Sequence, residues 1–167
     1  KIFFKNKIPS GFILNKLLKY YFVKLSTIII KTQIIKFYKF NPKYNIIGDY
    51  DSIIRISEKY KGMGFQNNLA YIRIHKDNFT HNNRKIFFKE FKYWEKRQNY
   101  KNIYFKNNKS KILERLNYLK LIYLLLNKKN AKLITEIMRY PFGYLKIKLL
   151  IIYFLPQFLV RFKIKYL

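Results

Sequence analysis

Residues 84–97 read R-K-I-F-F-K-E-F-K-Y-W-E-K-R, and their spacing decides how the rest of the chain is read. At about 100° per residue, Lys85, Lys89, Lys92 and Lys96 fall in one line along a helix, at i, i+4, i+7 and i+11. Phe87, Phe91 and Trp94 repeat at similar intervals on nearly the opposite side. Like charges so placed repel by tenths of a kcal/mol per pair. Glu90 and Glu95 project off the basic line and do little to offset it. Such a helix gains little unless a polyanion lies along its lysines. The aromatic row is therefore assigned to the core, and the lysine row to contact with a polyanion.

The composition supports that division. The chain has 167 residues, enough for one domain or two small ones and for a modest core, and half of them are hydrophobic. A fifth are aromatic, which excludes a disordered basic tail. Against this stand 36 Lys+Arg, only 8 Asp+Glu and a formal charge of +28. Alone in water such a chain repels itself, and a nucleic acid supplies the missing negative charge more completely than a membrane surface does. With no cysteine, disulfides, Cys-based zinc sites and thiol catalysis are excluded. No secretory signal fits the N-terminus, and its tyrosines and lack of arginine argue against a transit peptide.

Along the chain, Ser10-Gly11 is available to start a helix over about 11–25, with Leu14, Leu17, Leu18, Tyr21, Val23 and Leu25 on one face. The β-branched run from Thr27 and the stretch to Tyr38 either continue it to about 40 or turn to strand. Asn41-Pro42 breaks the chain, and Gly48-Asp49 marks a turn. Residues 52–57 (S-I-I-R-I-S) and 69–75 (L-A-Y-I-R-I-H) read as a small β-hairpin across the turn K-G-M-G-F-Q-N-N. After a polar linker with Thr80, Asn82 and Asn83 as N-cap choices comes the basic-aromatic helix, to about Gln98. Residues 99–111 (N-Y-K-N-I-Y-F-K-N-N-K-S-K) read as a basic, Asn-rich loop. Ser110 is the expected cap of an apolar helix over 112–126, followed by helices over 131–140 and 145–155. Beyond Pro156, apolar and basic residues alternate, as in a strand or an extended tail threaded along a partner. The expected architecture is one domain over 1–167, mainly α with a small β-hairpin. It comprises an N-terminal helix at 11–40, a hairpin region at 46–76, a C-terminal helical unit at 82–157 and a basic tail at 158–167.

Catalytic signatures are missing. His75 and His81 have only Asp77 between them and read as surface histidines beside a loop rather than metal ligands. There is no G-x-S-x-G, Walker A or G-x-G-x-x-G pattern, and the eight acids form no pair. The reading is of a non-enzyme without metal, cofactor or small-molecule substrate. A membrane span is also disfavoured. The uncharged interval from Leu149 to Val160 gives a helix of about 18 Å against a hydrocarbon core of ~30 Å.

Nucleic acid remains. Any single lysine is usually a solvated surface charge, but ten Lys/Arg stand against two Glu from Arg84 to Lys111. The expected nucleic-acid contacts are Arg84, Lys85, Lys89, Lys92, Lys96 and Arg97 on the helix. Tyr100, Lys101, Tyr104, Lys106, Lys109 and Lys111 follow in the loop, and Arg161, Lys163 and Lys165 in the tail. The loop's tyrosines and asparagines are the expected place for specific contacts, through stacking on unpaired bases or hydrogen bonds to sugar and phosphate. No zinc-finger, RNP, KH or bZIP signature is present, which favours structural over sequence-reading recognition.

Lys, Ile, Asn, Tyr and Phe make up 102 of the 167 residues, and Ala occurs twice. These five have A/T-dominated codons, and Lys outnumbers Arg 29 to 7 although Arg is the better phosphate fork. Such a bias is expected of an AT-rich organelle genome or, alternatively, of an AT-rich nuclear or endosymbiont genome. In this bias, and in its layout of small core, basic surfaces and basic ends, the whole chain resembles mitochondrial ribosomal proteins encoded in AT-rich organelle genomes of the ciliate kind. No motif carries individual residues across. The resemblance implies a structural component in the mitochondrial matrix that binds rRNA and neighbouring ribosomal proteins. The alternatives are an accessory subunit of an inner-membrane respiratory complex, using 145–160 as a partly embedded helix, and an organellar RNA-binding factor.

Overall fold

The computed structural model describes residues 8–67, 79–127 and 130–156, apart from the side chain of His81. The described chain is mainly helical, with no strand among those residues. It divides into two compact units, one of residues 1–73 and 97–112, the other of 74–96 and 113–167.

In the first unit the expected N-terminal helix is broken into pieces. These are α1 (Leu14–Lys19), a 3₁₀ turn at Leu25–Thr27, and α2 (Thr32–Tyr38). Leu14, Leu17 and Leu18 of α1 are buried at i, i+3 and i+4, the minimum for one apolar face. Both helices contact α3 (Gly48–Ser57). Here the expected β-hairpin is overturned, because residues 52–57, its first arm, are helical. Gly48-Asp49, expected as a turn, form the first residues of this helix. The hairpin's second arm, 69–75, lies outside the described residues.

The physical reason is burial and charge placement overriding β propensity. Tyr50, Ile53, Ile54 and Ser57 repeat at helical intervals and are all buried. Asp49 and Asp51 sit in the first turn and Arg55 in the last, matching the helix dipole. Asp51 and Arg55 join across one turn at 3.0 Å. Arg55 also donates to the Lys39 carbonyl at 2.8 Å, as does the Ser52 hydroxyl at 3.1 Å. Those bonds hold Lys39 at φ 25°, a backbone conformation a lysine rarely adopts.

K-G-M-G-F, read as a turn, is instead an extended segment paired with residues 8–11. Gly11 and Gly62 exchange backbone hydrogen bonds of 2.8 and 2.9 Å. The Gly64 N–H donates to Ser10 Oγ, and the Gln66 amide brackets both backbone groups of Ile8. A Cβ on Gly64 would lie 2.8 Å from the Ile8 carbonyl oxygen, so close approach explains the glycine.

The 99–111 loop is also overturned. α6 runs from Ile103 to Asn127 and so includes most of that segment. Its cap is Asn102, whose Oδ1 accepts from the Tyr104 N–H at 2.9 Å, while Ser110 lies within the helix. Phe105, Asn108 and Ile112 give this part of α6 a buried face. Asn108 is fully buried and donates to Asn15 Oδ1 at 2.6 Å and to the Tyr104 carbonyl at 2.7 Å. A polar residue in a basic run hid a core position.

The second unit contains α4 (Phe79–Asn82), α5 (Arg84–Lys96), the rest of α6, α7 (Ala131–Met138) and α8 (Tyr144–Phe154). Its cluster of Leu121, Ile122, Leu125, Leu133, Ile137, Tyr140, Leu149 and Ile152 joins α6, α7 and α8. Asn130 caps α7 by accepting from the Leu133 N–H at 3.0 Å. The tail beyond Pro156 lies outside the described residues.

Candidate nucleic-acid interface

α5 keeps the two faces its sequence implies. Phe91 and Trp94 are 0% and 1% exposed, with ring centroids 5.4 Å apart, and Phe87 is half-buried. The Arg115 guanidinium lies over the Phe91 ring at 5.2 Å, a cation sealed against the apolar side. On the opposite side Lys85, Lys89, Lys92 and Lys96 are all exposed. A straight helix carries this row over about 16 Å at ~1.5 Å rise per residue. Glu90 is buried and Glu95 half-buried, so neither joins the lysine row.

Two rings border this row. Phe88, which fits neither periodic line, stacks on Tyr123 at 6.1 Å with 13° between planes, and the Lys92 ammonium lies 6.0 Å from its centroid. Tyr93 is 40% exposed, about 80° around the helix from the lysine line. Its position inside an amphipathic helix was the available signal for it. Phe88 gave none, because its stacking partner is distant in sequence.

Arg84 behaves unlike the lysines. It opens α5 on the side of Phe91 and is half-buried. Burial lowers its pKa, an effect opposed by Tyr118. Burial pushes the Tyr118 phenol up to about 12, with Arg84 pulling the other way. Arg84 therefore belongs to the packed side of the helix.

The expected residues from Arg97 to Lys111 fall in the first unit and are described apart from α5. Arg97 and Lys101 are exposed in the turn before α6, where Asn99 Oδ1 accepts from the Lys101 N–H at 3.0 Å. Lys106, Lys109 and Lys111 are exposed on α6, spread around its sides, with Lys109 next to the buried face of Phe105, Asn108 and Ile112. Tyr104 is exposed, but Tyr100 is half-buried beneath the Lys109 ammonium at 5.0 Å. Asn99 and Asn102 are engaged with backbone N–H groups, and Asn108 is in the core. The segment thus offers exposed lysines around a helix with one exposed tyrosine, rather than a loop of free amides and rings. Arg161, Lys163 and Lys165 lie outside the described residues.

No group of three or more His, Asp or Glu among the described residues is placed to hold a metal ion. No described helix is long and apolar enough to cross a membrane. Comparison with protein families, curated proteins and solved structures finds no match.

Proposed function

We propose that this chain is a structural constituent of a mitochondrial ribosome, holding rRNA through its basic helix faces and packing on neighbouring ribosomal proteins. One observation carries the reading: the four exposed lysines of α5 stand directly opposite its buried Phe91 and Trp94, in a chain of charge +28. The rings fix the helix to its own unit and leave a rigid row of cations with no acid in line. Such a row neutralises phosphates by position and displaces their counterions, without reading bases. The exposed Lys106, Lys109 and Lys111 of α6 add further cations, though not in a single row. The A/T-dominated composition supports an organelle gene, and hence a mitochondrial location.

After detergent lysis the protein should sediment with a ribosomal subunit and leave it at high salt or on RNase treatment. Co-migration with a respiratory complex, indifferent to RNase, would overturn the proposal in favour of an accessory membrane-complex subunit. Substoichiometric recovery off the ribosome, still bound to RNA, would instead favour an organellar RNA-binding factor.

A further inference from the structure

α8 has apolar side chains on two sides, and only one of them is used by the core. Leu149 and Ile152 point into the cluster with α6 and α7 and are fully buried. On the outer side Tyr144, Ile147, Ile151 and Phe154 recur at i, i+3, i+7 and i+10, within about 80° of arc. Tyr144 and Phe154 at the ends are 71% and 75% exposed, and Ile147 and Ile151 between them are 47% and 51%. Phe142, just before the helix, is exposed too. A contiguous apolar stripe of this kind marks an interaction surface rather than ordinary surface scatter.

The charge around the stripe is one-sided. Lys148 borders it on one edge, and Lys146, farther round on the other, donates to the Met138 carbonyl at 2.6 Å. Glu136, the last acid in the sequence, is tied to Lys120 at 2.8 Å. From residue 137 to 156 the chain has three Lys/Arg and no Asp or Glu. A polyanion such as RNA satisfies the cations but leaves the rings and isoleucines wet. An anionic bilayer satisfies both, since its headgroups meet the lysines and its acyl boundary takes up the apolar face. Aromatic residues at the two ends of the stripe suit the headgroup level, and the eleven residues of α8 are too short to span.

We infer that the outer face of α8 lies in the surface of an anionic membrane, parallel to it, as a monotopic anchor. This goes beyond the RNA reading and stands or falls independently of it.

The test uses the full, nuclease-treated chain in flotation with vesicles of phosphatidylcholine alone or doped with phosphatidylglycerol. The chain should float with the anionic vesicles and stay bound through a high-salt wash, when purely electrostatic attraction is screened. Ile147→Ser with Ile151→Ser keeps every charge and alters only half-exposed side chains. It should lower salt-resistant binding by at least roughly tenfold. In a Phe154→Trp variant, emission should shift to the blue on adding anionic vesicles, against the constant background of buried Trp94. Replacing Lys85, Lys89 and Lys92 by Gln should leave the salt-resistant binding in place, which separates this surface from the RNA-binding row. Unchanged salt-resistant binding in the double serine variant, or no blue shift at position 154, would overturn the inference. So would light scattering that shows a dimer lost in the serine variant, since the stripe would then seat a second copy.

Discussion

Lys85, Lys89 and Lys92 offer the sharpest test of the proposed RNA contact, because each can be changed without touching the core. All three are exposed, and none makes a side-chain hydrogen bond that holds the helix together. Changing them to Gln removes repulsions worth tenths of a kcal/mol and a cation–π contact of similar size at Phe88, so folding stability should move by less than ~1 kcal/mol. Binding should move much more. If each lysine neutralises one phosphate, losing three lowers the slope of log K against log salt by about 2–3, taking ~0.7–0.9 per contact. Between 50 and 200 mM salt, the parent should then lose roughly 20- to 40-fold more affinity than the variant does. The assay is RNA binding over a salt series, with thermal melts of both proteins in parallel. A variant that melts with the parent and shows the same slope would refute the reasoning, leaving the row a solvated surface.

Three further outcomes follow from the packing. Trp94→Ala should cost roughly 3 kcal/mol in urea unfolding, because the indole is buried against Phe91; weakened RNA binding with stability intact would instead make it a stacking platform. Gly64→Ala should lower the melting temperature of the first unit by a cost of about 1–3 kcal/mol, since its methyl meets the Ile8 backbone; an unchanged melt would show that the paired segments are not fixed. Tyr118, with its phenol pushed up to about 12, favours the neutral form when folded. Below the ordinary pKa of ~10 both states are protonated and it has no effect, while between about pH 10 and 12 the unfolded state ionises first and stability falls by ~1.4 kcal/mol per unit. Tyr140 is raised in the same direction and adds to the loss. Tyr118→Phe should flatten that alkaline decline, and an equally steep decline in the variant would contradict the assignment.

The lysine row was legible because α5 obeys one period over thirteen residues, with charge on one side and rings on the other. α7 and α8 were legible for similar reasons, as apolar runs bounded by Asn130, Pro141 and Pro156. α3 was not. Its isoleucines carry β propensity, and the helical signal lay in the acids at its start and the Asp51–Arg55 spacing. The first turns of α6 were hidden by their polarity. Asn102 and Asn108 look like loop residues, yet one caps the helix and the other is buried with its amide donating to Asn15 and Tyr104. Arg84 was grouped with the lysines by charge, although its burial sets it apart.

By itself the sequence determined the charge imbalance, the mainly helical class and the two-faced α5, because composition and a sustained period are local properties of the chain. Only the tertiary structure decided which polar residues are spent inside. It placed Asn108 and Arg84 with the core, paired the Gly62 and Gly64 segment with residues 8–11, and left the outer stripe of α8 uncovered. Those outcomes depend on partners far away in sequence, and a side chain's type does not say whether water or another helix will meet it.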